Sequence, residues 1–240
     1  MRLRLSFFLL FVVIFAIFKC TKILDSVVGE PVRVVLIPSI SDTCRYERGM
    51  DAVPEGDAIL IAWIPSGEEN VTEYEIYRGS RKDAVYTQIA RVQVPDSTYL
   101  DYRVTLDTRH YYYLLAVNDE GIRSEPSDTL NYKLIRKSTG LLPVGVTTIA
   151  KPVFSWHDPN TPQKAFYVIR LMESATKQVV WLSLIPSSYS GDRETVQFNH
   201  DGTAHIDSLG ADIDYQWRVD VVGSEDCSGS ESEWIALKSQ

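Results

Sequence analysis

Cysteine is scarce in this chain, three in 240 residues, and histidine and methionine are nearly as rare, with four and three. So few thiols and imidazoles exclude a disulfide-dense scaffold, and no C-x-x-C pair, H-E-x-x-H or EF-hand pattern offers a metal site. Basic charge is also short: 24 Lys and Arg stand against 32 Asp and Glu, a net charge of −8, and they form no block. Phosphate neutralisation needs a clustered basic surface, so nucleic acid is excluded as a partner. Beyond the N-terminus no long amphipathic helical pattern occurs. What the chain has is 45% hydrophobic and 11% aromatic residues spread along its length. That composition is globular and excludes disorder.

One apolar run stands apart. Arg2 and Arg4 precede residues 5–18, in which Ser6 is the single polar residue. This is the layout of a secretory signal. As a helix the run spans about 21 Å, short of the roughly 30 Å hydrocarbon core of a bilayer. Phe18 and Lys19 occupy the positions where a small-x-small cleavage site is expected, and Cys20 follows directly. The arrangement resembles a bacterial lipoprotein signal, in which the cysteine becomes the acylated first residue of the mature chain. Lys19 departs from that pattern, which has Gly, Ala or Ser there. Lipidation at Cys20, an uncleaved signal anchor and simple secretion are the three readings. Each puts the globular part outside the cytoplasm, in the periplasm or at the cell surface, with the membrane as a partner through the N-terminus in the first two. Cleavage before Cys20 removes Arg2, Arg4 and Lys19 and takes the net charge from −8 to −11.

Short alternating segments at residues 58–63, 73–78, 86–92, 110–118, 166–171 and 215–221, punctuated by turn residues, predict an antiparallel all-β sandwich or barrel. The pattern repeats. Trp63, Tyr74, Ile76, Ala116, Asn118 and Gly121 in the first half are answered by Trp156, Tyr167, Ile169, Tyr215, Trp217 and Trp234 in the second. Both halves resemble fibronectin type III domains, over about residues 47–240. The resemblance implies two tandem immunoglobulin-like sandwiches: residues 1–19 as signal or anchor, 20–46 as tether, 47–135 and 145–240 as the modules, and 136–144 as linker. Residues 32–37 are a candidate extra strand. The resemblance also implies that Trp63 and Trp156 pack between the sheets and that Tyr215 forms a corner; in the first module either His110 substitutes in that position or the strand is shifted by one residue, and the ungapped alignment with His110 is favoured. An ungapped alignment then sends Tyr112, Leu114 and Ala116 into the core.

Chemistry is thinly signalled. Ser174 and Lys177 fit the S-x-x-K spacing of serine acylases but fall in a turn, without the other motifs of that group. His200, His205, Asp201 and Asp207 lie close in sequence, and read as a hairpin turn around Asp201 and Gly202 instead of a metal site. No catalytic residue, metal or cofactor is assigned. Cys44 and Cys227 are expected to be free thiols, because an end-to-end pair of modules would hold them a module apart, whereas a disulfide needs Cα atoms about 4.4–6.8 Å apart. Arg218 is expected to stack on Trp234 on a solvent-facing strand face, with Gln216 and Asp220 beside it. The remaining candidate is an outward cluster of Tyr77, Tyr111 and Tyr113, with Leu115, on the first module. It is either a binding platform or a surface covered by the tether or linker. These features point to a non-catalytic envelope protein, a spacer and a protein- or polysaccharide-binding module. The alternative is an accessory glycan-binding or assembly subunit of an extracytoplasmic enzyme complex.

Overall fold

A computed structural model describes residues 29–42, 44–187 and 193–240, and all regular structure among them is β. The first half contributes β1 (Val35–Leu36), β2 (Asp51–Ala52), β3 (Ile59–Ile64), β4 (Val71–Gly79), β5 (Thr87–Gln93), β6 (Thr98–Asp101), β7 (Arg109–Asn118) and β8 (Leu130–Leu134). The second contributes β9 (Thr139–Leu142), β10 (Gly145–Thr147), β11 (Val153–His157), β12 (Lys164–Glu173), β13 (Val179–Pro186), β14 (Arg193–Gln197), β15 (Asp214–Gly223), β16 (Ser228–Glu231) and β17 (Ile235–Ser239). No helix among the described residues is long and apolar enough to cross a membrane. The apolar run at 5–18 and Cys20 lie outside them.

Each half is a sandwich of two sheets, antiparallel throughout except where β10 pairs with β17 in parallel. In the first, β3 pairs with β1, β2 and β6, and this sheet faces β5-β4-β7-β8. In the second, β14-β11-β9 faces β13-β12-β15, whose free side carries β16 and β17. This is the strand arrangement of a fibronectin type III domain, twice over, and the molecule is two tandem immunoglobulin-like sandwiches. Alternation makes the cores, because successive side chains on a strand point to opposite faces. Tyr74 and Ile76 face inward with Tyr112, Leu114 and Ala116, and Tyr167, Ile169 and Leu171 lie beside Val221, Val219 and Trp217 on one inner sheet face, which corrects their expected placement across the core. Trp63 meets Tyr74 edge-on at 5.2 Å, and Trp156 meets Tyr167 at 5.2 Å in the same way.

The expected segment boundaries shift. Within the tether, Val35–Leu36 pairs with Trp63 and Ile64, and Val34 and Leu36 are buried in the first core. Within the linker, Thr139–Leu142 pairs with β11 and Leu141 joins the second core. The first carries alternate apolar residues, Val34 and Leu36, and is the extra strand expected within 32–37; the second turns Leu141 alone into the core while its backbone pairs with β11.

The modules do not stand end to end. Strand β16 of the second pairs in parallel with β8 of the first, Ser228 opposite Lys133 and Gly229 opposite Leu134, so one sheet runs through both sandwiches. Side chains reinforce the seam: Lys133 and Arg109 both reach Glu225, at 2.8 and 2.9 Å. The Ser230 hydroxyl donates to the Arg136 carbonyl.

The two corners differ in chemistry and share a geometry. The Tyr215 hydroxyl accepts from the Gly210 amide at 3.0 Å, and His110 Nε2 accepts from the Thr105 amide at 3.2 Å, each five residues upstream. To accept, Nε2 must be unprotonated. Burial, with the Arg78 guanidinium near, pulls the His110 pKa below its ordinary 6.5, against the opposing pull of Asp101. The stability this gives is present above the unfolded-state pKa and is lost as pH falls through the folded one. An NMR titration of the imidazole is expected to give a midpoint below 6.5; a midpoint above it contradicts the corner assignment.

Candidate functional site

Two surfaces hold unusual chemistry, and they occupy matching positions on the two sandwiches. Tyr77 on β4 and Tyr113 on β7 are register partners, as are Arg170 on β12 and Arg218 on β15. Since Tyr74 and Tyr167, Ile76 and Ile169, and Leu114 and Val219 fill equivalent core places, Tyr77 corresponds to Arg170 and Tyr113 to Arg218.

On the second sandwich this position is covered. Between Ile37 and Met50, whose amide donates to the Ile37 carbonyl, the chain leaves the first sandwich as a strap. Gly49 closes it with φ of +90°, and a Cβ there would sit 2.0 Å from the Pro38 carbonyl oxygen, so only glycine fits. The strap lays its backbone on Arg170, whose guanidinium donates to the carbonyls of Asp42, Cys44 and Arg45 at 3.0, 3.0 and 3.2 Å. Glu47 from the strap reaches both Arg170, at 3.0 Å, and Arg218. Arg218 also holds Asp220 at 2.8 Å and Glu231 at 2.7 Å.

Arg218 and Asp220 are therefore not solvent-facing as the alternation suggested; they are 1% and 3% exposed beneath the strap. Arg218 does lie over the Trp234 ring, 4.7 Å from its centroid. The sequence reading missed Arg170, Glu47 and Glu231. Its available signal was two arginines on facing outward positions, which need carboxylates when covered. Glu47, Asp220 and Glu231 place carboxylate oxygens within 4.8 Å of one another, but the two guanidiniums already lie against them. The arrangement is an ion-pair network.

The strap also places Cys44 on the second sandwich, which removes the geometric premise for keeping the cysteines apart; both Cys44 and Cys227 are nonetheless free and exposed.

Carboxylates outnumber guanidiniums at this joint. Burial, together with neighbouring Asp42 and Glu47, raises the Asp51 pKa from 3.8 to about 7, against hydrogen bonds from the Tyr132 hydroxyl and the Ala52 amide. Burial, with Asp220 and Glu47 near, raises Asp42 to about 6. Glu231 lies well above the usual carboxylate range for the same reason, beside Asp220 and opposed by Arg218. A raised folded-state pKa gives stability that is complete below the unfolded pKa and is lost as pH rises through the folded one. Stability measured by urea unfolding is thus expected to fall between pH 5 and 8, and Asp51→Asn to flatten that slope. An unchanged slope in the variant rejects the assignment.

On the first sandwich the matching position is open. Tyr77 and Tyr113 stack with centroids 4.9 Å apart at 9°, and Tyr86, from the β4–β5 turn, closes on Tyr113 at 5.0 Å. All three are half-buried, as is Tyr111, and Leu115 is covered instead of outward. Tyr86 belongs to this cluster although the sequence reading omitted it. Below the rings Glu75 is fully buried, taking two bonds from Arg123 at 2.8 and 2.9 Å, one from Arg91 and one from the Tyr77 hydroxyl at 2.9 Å. Arg123 holds the carboxyl below its ordinary pKa against the effect of burial. Arg91 and Arg123 stay about half exposed at the rim.

The other motifs resolve structurally. Ser174 and Lys177 sit in the turn between β12 and β13, where Lys177 has φ of +57°. Asp201 accepts from Trp181 Nε1 at 3.1 Å, from the Ser183 hydroxyl at 2.5 Å and from Thr203. Its turn lies in the crossover from β14 to β15, which belong to different sheets, and so is not a hairpin; Asn199 and Gly202 supply the left-handed positions.

A scan of protein-family models and a search of curated proteins match nothing in this chain. Among solved structures, it is similar to a Fn3-like protein from Clostridium thermocellum, at 22% identity over 34% of this chain and 81% of that one, TM-score 0.30. It is also similar to the FN1–FN3 domains of chicken CNTN1, at 16% identity over 88% and 69%, TM-score 0.35. A two-domain fibronectin type III segment of chicken tenascin is similar at 15% identity over 78% and 94%, TM-score 0.32. The assignment of both halves to the fibronectin type III sandwich rests on their strand order and register.

Proposed function

We propose that this chain is a non-catalytic spacer and binding unit of the cell envelope, carried outside the cytoplasm and held to a membrane by lipid on Cys20. Its partner meets the first sandwich at Tyr77, Tyr86, Tyr111 and Tyr113. The observation that carries the reading is the contrast between matched faces: the chain covers one with its own strap and leaves aromatic rings and two arginines half exposed on the other. Tyr and Arg are the residue types that anchor protein interfaces. A sugar would need an open ring face, and Tyr113 has Tyr77 and Tyr86 against it, which favours a protein over a polysaccharide.

Two measurements test it. Intact mass spectrometry of the protein from its native membranes is expected to find an acylated Cys20 as the first residue, and an intact Met1 overturns the lipid anchor. Saturable binding that disappears in a Tyr77→Ser/Tyr113→Ser variant is expected of the face. A natural partner that binds the variant unchanged overturns its role.

A further inference from the structure

The internal symmetry points to the occupant of the open face. We propose that the Tyr77–Tyr113 face docks an acidic segment of a partner protein, an inference that rests on the binding-unit reading and names its partner class.

The second sandwich shows what its matched face accepts. There a stretch of chain with a turn at Ser41–Cys44 lies over two central strands, gives three backbone carbonyls to Arg170 and inserts a carboxylate, Glu47, between Arg170 and Arg218. Strand spacing, twist and register are common to both faces, so a crossing segment has the same track on the first. Among the described residues no segment takes it.

Two substitutions alter the terms of docking. Tyr77 and Tyr113 replace the paired guanidiniums with apolar area, which suits side chains as well as backbone. Positive charge moves to the rim, where Arg91 and Arg123 are about half exposed. Exposed Arg81 and Lys82 lie in the turn whose Tyr86 closes on Tyr113, and the Tyr86 hydroxyl donates to the Lys82 carbonyl. Glu73 and Glu75 offset two of these charges from beneath, and exposed Asp83, in the same turn and near enough to act on Tyr86, offsets a third. A chain of net charge −8 thus keeps a small positive surplus around one aromatic face, and complementary charge there speeds encounter and rejects basic partners.

The test uses the full chain in detergent against an array of synthetic 12-residue peptides, acidic, neutral and basic, with a panel of neutral and acidic polysaccharides beside it. Saturable binding biased to acidic peptides is expected, weakened at least about tenfold in Tyr77→Ser/Tyr113→Ser. Arg81→Glu/Lys82→Glu, which touches no core position, is expected to weaken it several-fold and to reduce its salt dependence, and serves where the double tyrosine variant unfolds. Acidic-peptide binding unaffected by these variants, or no charge preference, overturns the inference. Tyrosine-dependent binding to polysaccharide alone overturns the inference and leaves the binding-unit reading standing. Binding to neither overturns both.

Discussion

Arg218→Ala is expected to destabilise the protein by about 3–5 kcal/mol, the cost of removing one partner from a buried ion-pair set. The residue is 1% exposed and holds Asp220, Glu231 and Glu47, so its loss leaves three carboxylates crowded without their shared cation. Arg170 cannot replace it, being committed to the strap carbonyls and 3.6 Å from Asp220. Beyond lower stability, the strap should open, because Glu47 loses one of its two anchors. Urea unfolding reads the first effect and hydrogen exchange at residues 39–48 the second. A loss below about 1 kcal/mol, the range of exposed pairs, would place Arg218 in solvent.

Trp217→Ala should cost about as much for a different reason, about 3–5 kcal/mol, because it empties a large site in a core that can collapse only in part. The indole is fully buried, meets Phe154 at 4.7 Å, and donates from Nε1 to the Pro143 carbonyl at 3.0 Å. Trp217→Phe separates packing from hydrogen bonding: it keeps most of the ring volume and leaves one acceptor unpaired, for about 1–3 kcal/mol. Equal losses in the two variants would mean that the hydrogen bond, and not the packing, dominates.

The sandwiches were legible because their information is local. Alternation at 73–78 and 166–171, with tryptophans eleven residues ahead of tyrosines at 63/74 and 156/167, marks core faces without knowledge of the other sheet. The histidine corner was readable only through the resemblance, which left a one-residue strand shift as its alternative; the Thr105 amide on His110 Nε2 fits the ungapped alignment. The joint was not readable. Glu47 lies 171 residues from Arg218, and nothing near either residue announces the other. An outward Arg-x-Asp on β15 has the pattern of a solvated face, and only the strap buries it. The open face was half legible: Tyr77, Tyr111 and Tyr113 follow from strand alternation, whereas Tyr86 comes from a turn whose path alternation does not describe.

The function proposed here depends on a stiff body that clasps itself on one face and leaves the matched face free. Residual dipolar couplings from backbone amides of both sandwiches, in one aligned sample at pH 6, measure this directly. A single alignment tensor is expected to fit β4, β7 and β8 together with β12, β15 and β16, with the amides of Lys133 and Ile135 protected by the carbonyls of Cys227 and Gly229. Two independent tensors, or fast exchange at those amides, would mean that the sandwiches move separately and that no continuous sheet joins them.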